Sequence, residues 1–164
     1  MECGSGLSTV LLATAAEMSG RSVHSLEHDA IWAARVHNAL PKRLRARVDL
    51  AVVPLRSYGE FDWYSLDGIQ MPPSIGLVVC DGPPGETRGG RYGLASALRD
   101  RLGSSSVILL DDTHRPAERS IITRWCSELN ASVVEEGATY TAISAAGGDS
   151  KAPFLHGPRS RLQD

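Results

Sequence analysis

The sequence predicts an α/β protein with a doubly wound, mostly parallel seven-stranded sheet and a closing C-terminal β-hairpin. Three observations carry this. Short apolar runs alternate with helical patterns along the chain, as parallel βαβ units do. The run Val48–Pro54 (VDLAVVP) is apolar on both faces, as a strand covered on two sides should be. Two short β runs at the end are separated by Gly137-Ala138, a hairpin signal.

The elements follow in order. Met1–Cys3 forms a short first strand that runs straight into Gly4-Ser5-Gly6. A helix spans Leu7–Ser19, with Val10, Leu11, Ala15 and Met18 expected on its inner side and Gly20 as its stop. Arg21–Glu27 reads as the second strand, and Asp29 caps a helix over Ala30–Leu40 that Pro41 ends. Val48–Pro54 is the third strand. The connection over residues 56–74 is long enough to be functional or to hide a short element. Ile75–Cys80 is the fourth strand, followed by the Pro- and Gly-rich turn DGPPGETRGG. A helix is expected over Arg91–Leu102, stopped by Gly103, and Ser106–Leu110 forms the fifth strand. Pro116 opens a helix to about Asn130. The hairpin strands are Ser132–Glu136 and Thr139–Ser144. Residues 1–146 form one domain, and the polar, Gly/Pro-rich residues 147–164 read as a flexible tail.

A central strand in such a sheet typically has about five residues. Only Met1–Cys3 precede the glycine turn, so the sequence predicts a truncated first strand, a groove beside it, and a domain cut short at its N-terminus.

Composition narrows the function classes. The chain has 164 residues, 42% hydrophobic and 22% charged, which is globular and long enough to bury a full core. A net charge of −2 gives no electrostatic footprint for nucleic acid or a membrane surface. No apolar run approaches the ~20 residues of a membrane span, and no signal peptide is visible. Cys3, Cys80 and Cys126 are odd in number and widely spaced, which fits a reducing cytoplasm rather than a disulfide framework. Fifteen of the 17 basic residues are arginine, which reads as genome composition.

The first candidate site is the strand-to-helix turn Glu2-Cys3-Gly4-Ser5-Gly6-Leu7-Ser8-Thr9. Its glycines let a ligand approach the backbone, and the helix start presents free N–H groups. Glu27 lies 21 residues after Gly6, at the end of the second strand, where an acid can accept hydrogen bonds from both ribose hydroxyls of an adenosine cofactor. A dinucleotide fingerprint wants a glycine-like residue where Thr9 stands. Glu2 would also repel a pyrophosphate and instead suits a ligand carrying an ammonium and a sulfonium.

These residues resemble the class I S-adenosylmethionine-dependent methyltransferases. The match is the acid and G-x-G of ECGSG, the second-strand acid in SLEHD, the aspartate in VVCDGPPG, and the order of strands through the hairpin, over about residues 1–146. DGPPG and LLDDTHR look like a bacterial subgroup of small-molecule methyltransferases. The resemblance implies a Rossmann-like methyltransferase fold and S-adenosylmethionine as donor. The expected cofactor contacts are Glu2, Gly4, Ser5, Gly6, Ser8, Thr9, Glu27, His28, Pro54, Leu55 and Asp81. The expected reaction is methyl transfer to an oxygen of a small-molecule acceptor, in a cytoplasmic protein that is a candidate homodimer. Two rivals stay open: a nicotinamide-dependent oxidoreductase, and an incomplete, non-catalytic nucleoside-binding domain.

The second candidate site is Asp81 after the fourth strand with Asp111 and Asp112 after the fifth. Neighbouring strands lie about 4.8 Å apart, and their C-terminal ends border the ligand crevice of such folds. Clustered carboxylates favour a hard cation such as Mg²⁺, and metal-dependent O-methyltransferases resemble this layout. The alternative is that Asp81 opens a Pro-Pro turn and Asp112 caps the next helix. His114 is a candidate general base beside Asp81 and Asp112. Arg88 and Arg91 can hold an anion or be solvated; Trp63 and Tyr64 can cover a ring or plug the loop. No G-x-S-x-G marks a hydrolase nucleophile.

Overall fold

Five parallel strands and an antiparallel hairpin share one sheet in the computed structural model, which describes residues 1–145. The parallel strands are β1 (Glu2–Cys3), β2 (Val23–Glu27), β3 (Val48–Val52), β6 (Ile75–Cys80) and β7 (Leu102–Leu110). The hairpin is β8 (Ala131–Glu136) and β9 (Thr141–Ala145), with β9 antiparallel to β7. Between β3 and β6 a separate two-stranded ribbon forms from β4 (Leu55–Ser57) and β5 (Asp62–Tyr64). The sheet order is β3-β2-β1-β6-β7-β9-β8. The chain therefore starts in the middle, winds outward to β3, and returns beside β1 as β6. That reversal puts the crevice at the carboxyl ends of β1 and β6.

The helices are α1 (Leu7–Ser19), α2 (Ala30–Ala39), α3 (Lys42–Arg45), α4 (Gly93–Leu98) and α5 (Pro116–Glu128). α1 buries Thr9, Ala13 and Ala16, whereas Leu11 and Met18 are exposed. Val10 packs inward as expected, but Leu11, Ala15 and Met18 do not, and Thr9 explains the difference. Its hydroxyl donates to Glu2 beneath it at 2.7 Å. That bond fixes the rotation of the helix and sends positions four and seven residues on toward the interior. Ala13 meets Leu40 and Leu44, so the single turn α3, which the sequence reading missed, closes a small second core. The main core joins Leu26, Val78, Leu94, Leu110, Trp125 and Ile143 with the ribbon's Trp63 and Tyr64.

Gly103 does not stop a helix. α4 ends at Leu98, a 3₁₀ turn covers Arg99–Arg101, and Gly103 lies inside β7. There the register against β6 jumps, from Ile75 opposite Leu102 to Leu77 opposite Val107. The Ser106 hydroxyl fills the gap by accepting from Gly103 N–H at 2.8 Å and donating to the Ile75 carbonyl at 2.6 Å. A strand glycine at such a bulge is expected.

β1 has two residues, and a groove of about 500 Å³ lies beside it, lined by Met1, Leu12, Ala16, Val23, Ile75 and Leu77 among others. It sits at the amino ends of β2 and β6, away from the glycine turn. Among the described residues no helix is long and apolar enough to cross a membrane. Residue 146 and the predicted tail at 147–164 lie outside the described residues.

Candidate active site

The floor of the site is made by two glycines pressed together. Asp81 and Gly82 N–H both donate to the Cys3 carbonyl, at 2.9 and 2.7 Å, which draws the end of β6 onto the end of β1. Gly4 has φ +85°, and a Cβ there would lie 2.9 Å from Gly82 N. A Cβ on Gly82 would lie 2.4 Å from the Tyr64 hydroxyl oxygen and 2.9 Å from Gly4 Cα. Only glycine permits this approach. At Gly6, by contrast, a Cβ would meet nothing within 4 Å.

Above this floor opens a cleft of about 350 Å³. Five predicted residues line it: Gly4, Ser5, Glu27, His28 and Asp81. It also takes in Asp29, Trp32, Tyr64, Gly82 and Pro84. Trp32 was missed because it reads as an ordinary position in an amphipathic helix. Its indole N–H donates 2.7 Å to the Ser5 carbonyl and leaves the ring 44% exposed in the cleft wall. Tyr64 is buried, and its hydroxyl has no hydrogen-bond partner among the described residues. Burial holds that phenol protonated far above its ordinary range, so it remains a donor. Trp63 is not in this cleft but packs under Gly93.

Glu27 is buried, and its carboxylate is saturated. Oε2 accepts from Ser5 N–H at 2.9 Å and Ser5 Oγ at 3.0 Å; Oε1 accepts from His28 and Asp29 N–H at 2.8 and 2.9 Å. His28 Nδ1 also lies 3.0 Å from Oε1, so the movable groups on this carboxylate are the serine hydroxyl on Oε2 and the imidazole on Oε1, while the three N–H donors are main chain.

Several predicted contacts lie elsewhere. Glu2 is fully buried behind the turn, where Oε2 accepts from Thr9 and Ser25 hydroxyls at 2.7 and 2.6 Å. Thr9 in turn accepts from Gly6 N–H at 2.9 Å. Both residues brace the turn from below instead of lining the cleft. Gly6 and Ser8 also lie outside the lining, as do Pro54, whose carbonyl accepts from Ser65 N–H, and Leu55, which is paired with Tyr64 in the ribbon.

Among the described residues the acid cluster is not arranged as a metal centre. Arg91, read as a loop arginine, is 3% exposed and sits among the acids. Its Nη2 donates to Asp81 Oδ1 at 3.0 Å, Asp112 Oδ2 at 2.9 Å and the Asp81 carbonyl at 2.8 Å, and Nη1 donates to the Asp111 carbonyl at 2.8 Å. Arg115 adds a second cation 3.0 Å from Asp112. Among the described residues no three His, Cys, Asp or Glu side chains converge to hold a metal. The residues do not fit a divalent ion, because a guanidinium occupies the place between the carboxylates. Nor does Asp112 cap α5. It has φ +61°, its N–H donates to Asp111 Oδ1 at 2.8 Å, and the residue at the cap is Arg115. His114 is exposed and lies outside the cleft lining. Arg88 is tied to Ser57 and Asp62 of the ribbon, not free to bind an anion. Asp81 alone of the three acids reaches the cleft. It is half exposed, and its carboxyl is pushed up, first by burial and then by Asp111 and Asp112, against the opposing pull of Arg91 and Arg115.

A methyltransferase-domain family model matches residues 1–113. The chain belongs to that family, as a class I S-adenosylmethionine-dependent methyltransferase. Among solved structures the fold is similar to the precorrin-6y C5,15-methyltransferase of Geobacter metallireducens GS-15 (TM-score 0.57, 15% identity, 87% of this chain and 78% of that one). It is also similar to the ribosomal protein L11 methylase of Lactobacillus delbrueckii subsp. bulgaricus (TM-score 0.54, 15% identity, 88% and 67%). A third is the human methyltransferase 10 domain containing protein (TM-score 0.54, 16% identity, 90% and 71%). No curated protein matches the chain.

Proposed function

We propose that the protein transfers a methyl group to an oxygen of a small-molecule acceptor, with the donor in the cleft over Gly4 and Gly82 and the acceptor facing Asp81. The observation that supports this most directly is Asp81, the one acid of the cluster that lines the cleft. Its Oδ2 takes no hydrogen bond among the described residues. A hydroxyl acceptor must lose a proton, and a carboxyl raised by burial is matched to taking it. When bound, the donor supplies a methyl group on a sulfonium; direct displacement forms the C–O bond, breaks the C–S bond and leaves a neutral thioether. The chain's work is then orientation and electrostatics.

Glu27 is the residue we assign to the ribose. Ser5 Oγ is the donor that yields its place to a ribose hydroxyl, while the three backbone N–H groups keep the carboxylate aimed. Gly6 leaves open space beside the turn for the donor's amino-acid end.

Calorimetry with S-adenosylmethionine and S-adenosylhomocysteine tests the donor site. One equivalent should bind, and Glu27→Gln should weaken binding by roughly 1.5–3 kcal/mol, the range for a hydrogen bond to a charged group. Unchanged affinity in that variant would remove Glu27 from the site. Labelled-methyl transfer to a panel of hydroxyl and amine acceptors tests the rest. Asp81→Asn should suppress transfer to hydroxyls while the donor still binds; transfer confined to amines would overturn the oxygen assignment.

A further inference from the structure

We propose that Arg91 is the resident cation of this site, a positioning residue that does with a side chain what a divalent ion would otherwise do, so that donor binding needs no metal. Three carboxylates crowd the ends of β6 and β7. Charges so placed need a partner. The guanidinium supplies it through four hydrogen bonds of 2.8 to 3.0 Å. Two go to main-chain carbonyls, those of Asp81 and Asp111, so the side chain joins the residues that follow two adjacent strands. Two go to carboxylates, so it also aims Asp81. The planar fork of arginine suits this; a lysine ammonium has no such geometry. A divalent ion would need about six oxygens near 2.0–2.6 Å, and here Asp81 Oδ1, Asp112 Oδ2 and the Asp81 and Asp111 carbonyls already accept from a group that is 3% exposed. Bringing in a metal would require expelling a buried arginine from its partners, which is strongly unfavourable. The consequence for the cleft rests on the methyltransferase reading. The staple itself does not.

The test has two arms. In the first, Mn²⁺ is titrated into the wild-type protein and followed by electron paramagnetic resonance. No stoichiometric site is expected. One Mn²⁺ bound per chain, lost in Asp112→Asn, would overturn the proposal. In the second, S-adenosylhomocysteine affinity is measured with and without a chelator for wild type, Arg91→Lys and Arg91→Met, each first shown to melt cooperatively. Wild type should be indifferent to the chelator. Arg91→Met should bind roughly tenfold more weakly, a change of about 1.4 kcal/mol. Arg91→Lys should fall between, because it restores the charge but not the fork. Wild-type affinity in Arg91→Met, or chelator-sensitive binding by wild type, would overturn the proposal. If Arg91→Met does not fold, the Mn²⁺ arm and Arg91→Lys still decide. Failure of the wild type to bind S-adenosylhomocysteine at all would instead sink the donor-site reading and leave the Mn²⁺ result standing.

Discussion

Gly4 and Gly6 belong to one sequence motif but carry different loads. Gly4 combines a left-handed backbone with a neighbour 2.9 Å from any added Cβ, and that neighbour is main chain. Gly4→Ala should therefore cost the fold at least about 2 kcal/mol, the upper part of the left-handed penalty, with the clash added. Gly6 has open space around it, and Gly6→Ala should stay within about 1 kcal/mol of wild type. If the open space is the donor's, the same substitution should weaken S-adenosylhomocysteine binding markedly. Thermal melts beside calorimetry separate the two effects. Equal stability losses in both variants would mean that the turn responds to added side chains uniformly and that the cradle has been misread.

Helix α2 is where local order and site geometry meet. Asp29 Oδ1 accepts from Ile31 and Trp32 N–H at 2.8 and 2.9 Å. These bonds hold its carboxyl below the ordinary value of 3.8, with the Trp32 N–H the largest cause. Because the folded-state value is depressed, the cap's contribution is present above 3.8 and is lost as pH falls through the lowered value. Asp29→Ala should lower the melting temperature near neutral pH, and the gap from wild type should shrink below pH 3.8. A gap independent of pH would exclude the carboxylate as its source. The capped turn also carries Trp32 into the cleft wall, so the variant should blunt any change in tryptophan fluorescence on donor binding. Asp29 and the helix it starts were legible in the sequence, because a cap acts on residues two and three positions away. The ribbon of β4 and β5 was not. Residues 56–74 read as a connection that is functional or hides a short element, without saying where, and the three-residue strands β4 and β5 are fixed by Trp63 and Tyr64 entering the core.

At the scale of the whole molecule, the strand order places two loops distant in sequence on one crevice, and this decides what could be read in advance. Gly4, Ser5, Glu27 and Asp81 were legible because each ends a strand, and the βαβ pattern assigns strand ends to the crevice. The place of Arg91 among the acids was not, and Tyr64 was legible only as an aromatic that covers a ring or plugs the loop. Arg91 finds its partners 10, 20 and 21 residues away, and only the folded turn between Asp81 and Gly90 brings it to them. A sequence reading sees an arginine in a polar loop, for which solvation is the ordinary expectation. Clustered acids likewise suggested a metal, since their own counter-cation is invisible until the chain folds. The seam between β1 and β6 that carries the cleft also pairs Cys3 with Cys80 in register, both fully buried, with the Cys80 thiol pushed up by burial and by its neighbour Cys3. Cys126 is only half-buried. The protein thus contains its own clock for how often the cleft comes apart. A thiol reagent should modify Cys126 early and the seam pair only through opening events, at a rate set by the free energy of that opening. A donor bound across the seam should slow the late phase by the factor 1 + [L]/Kd and leave the early one unchanged.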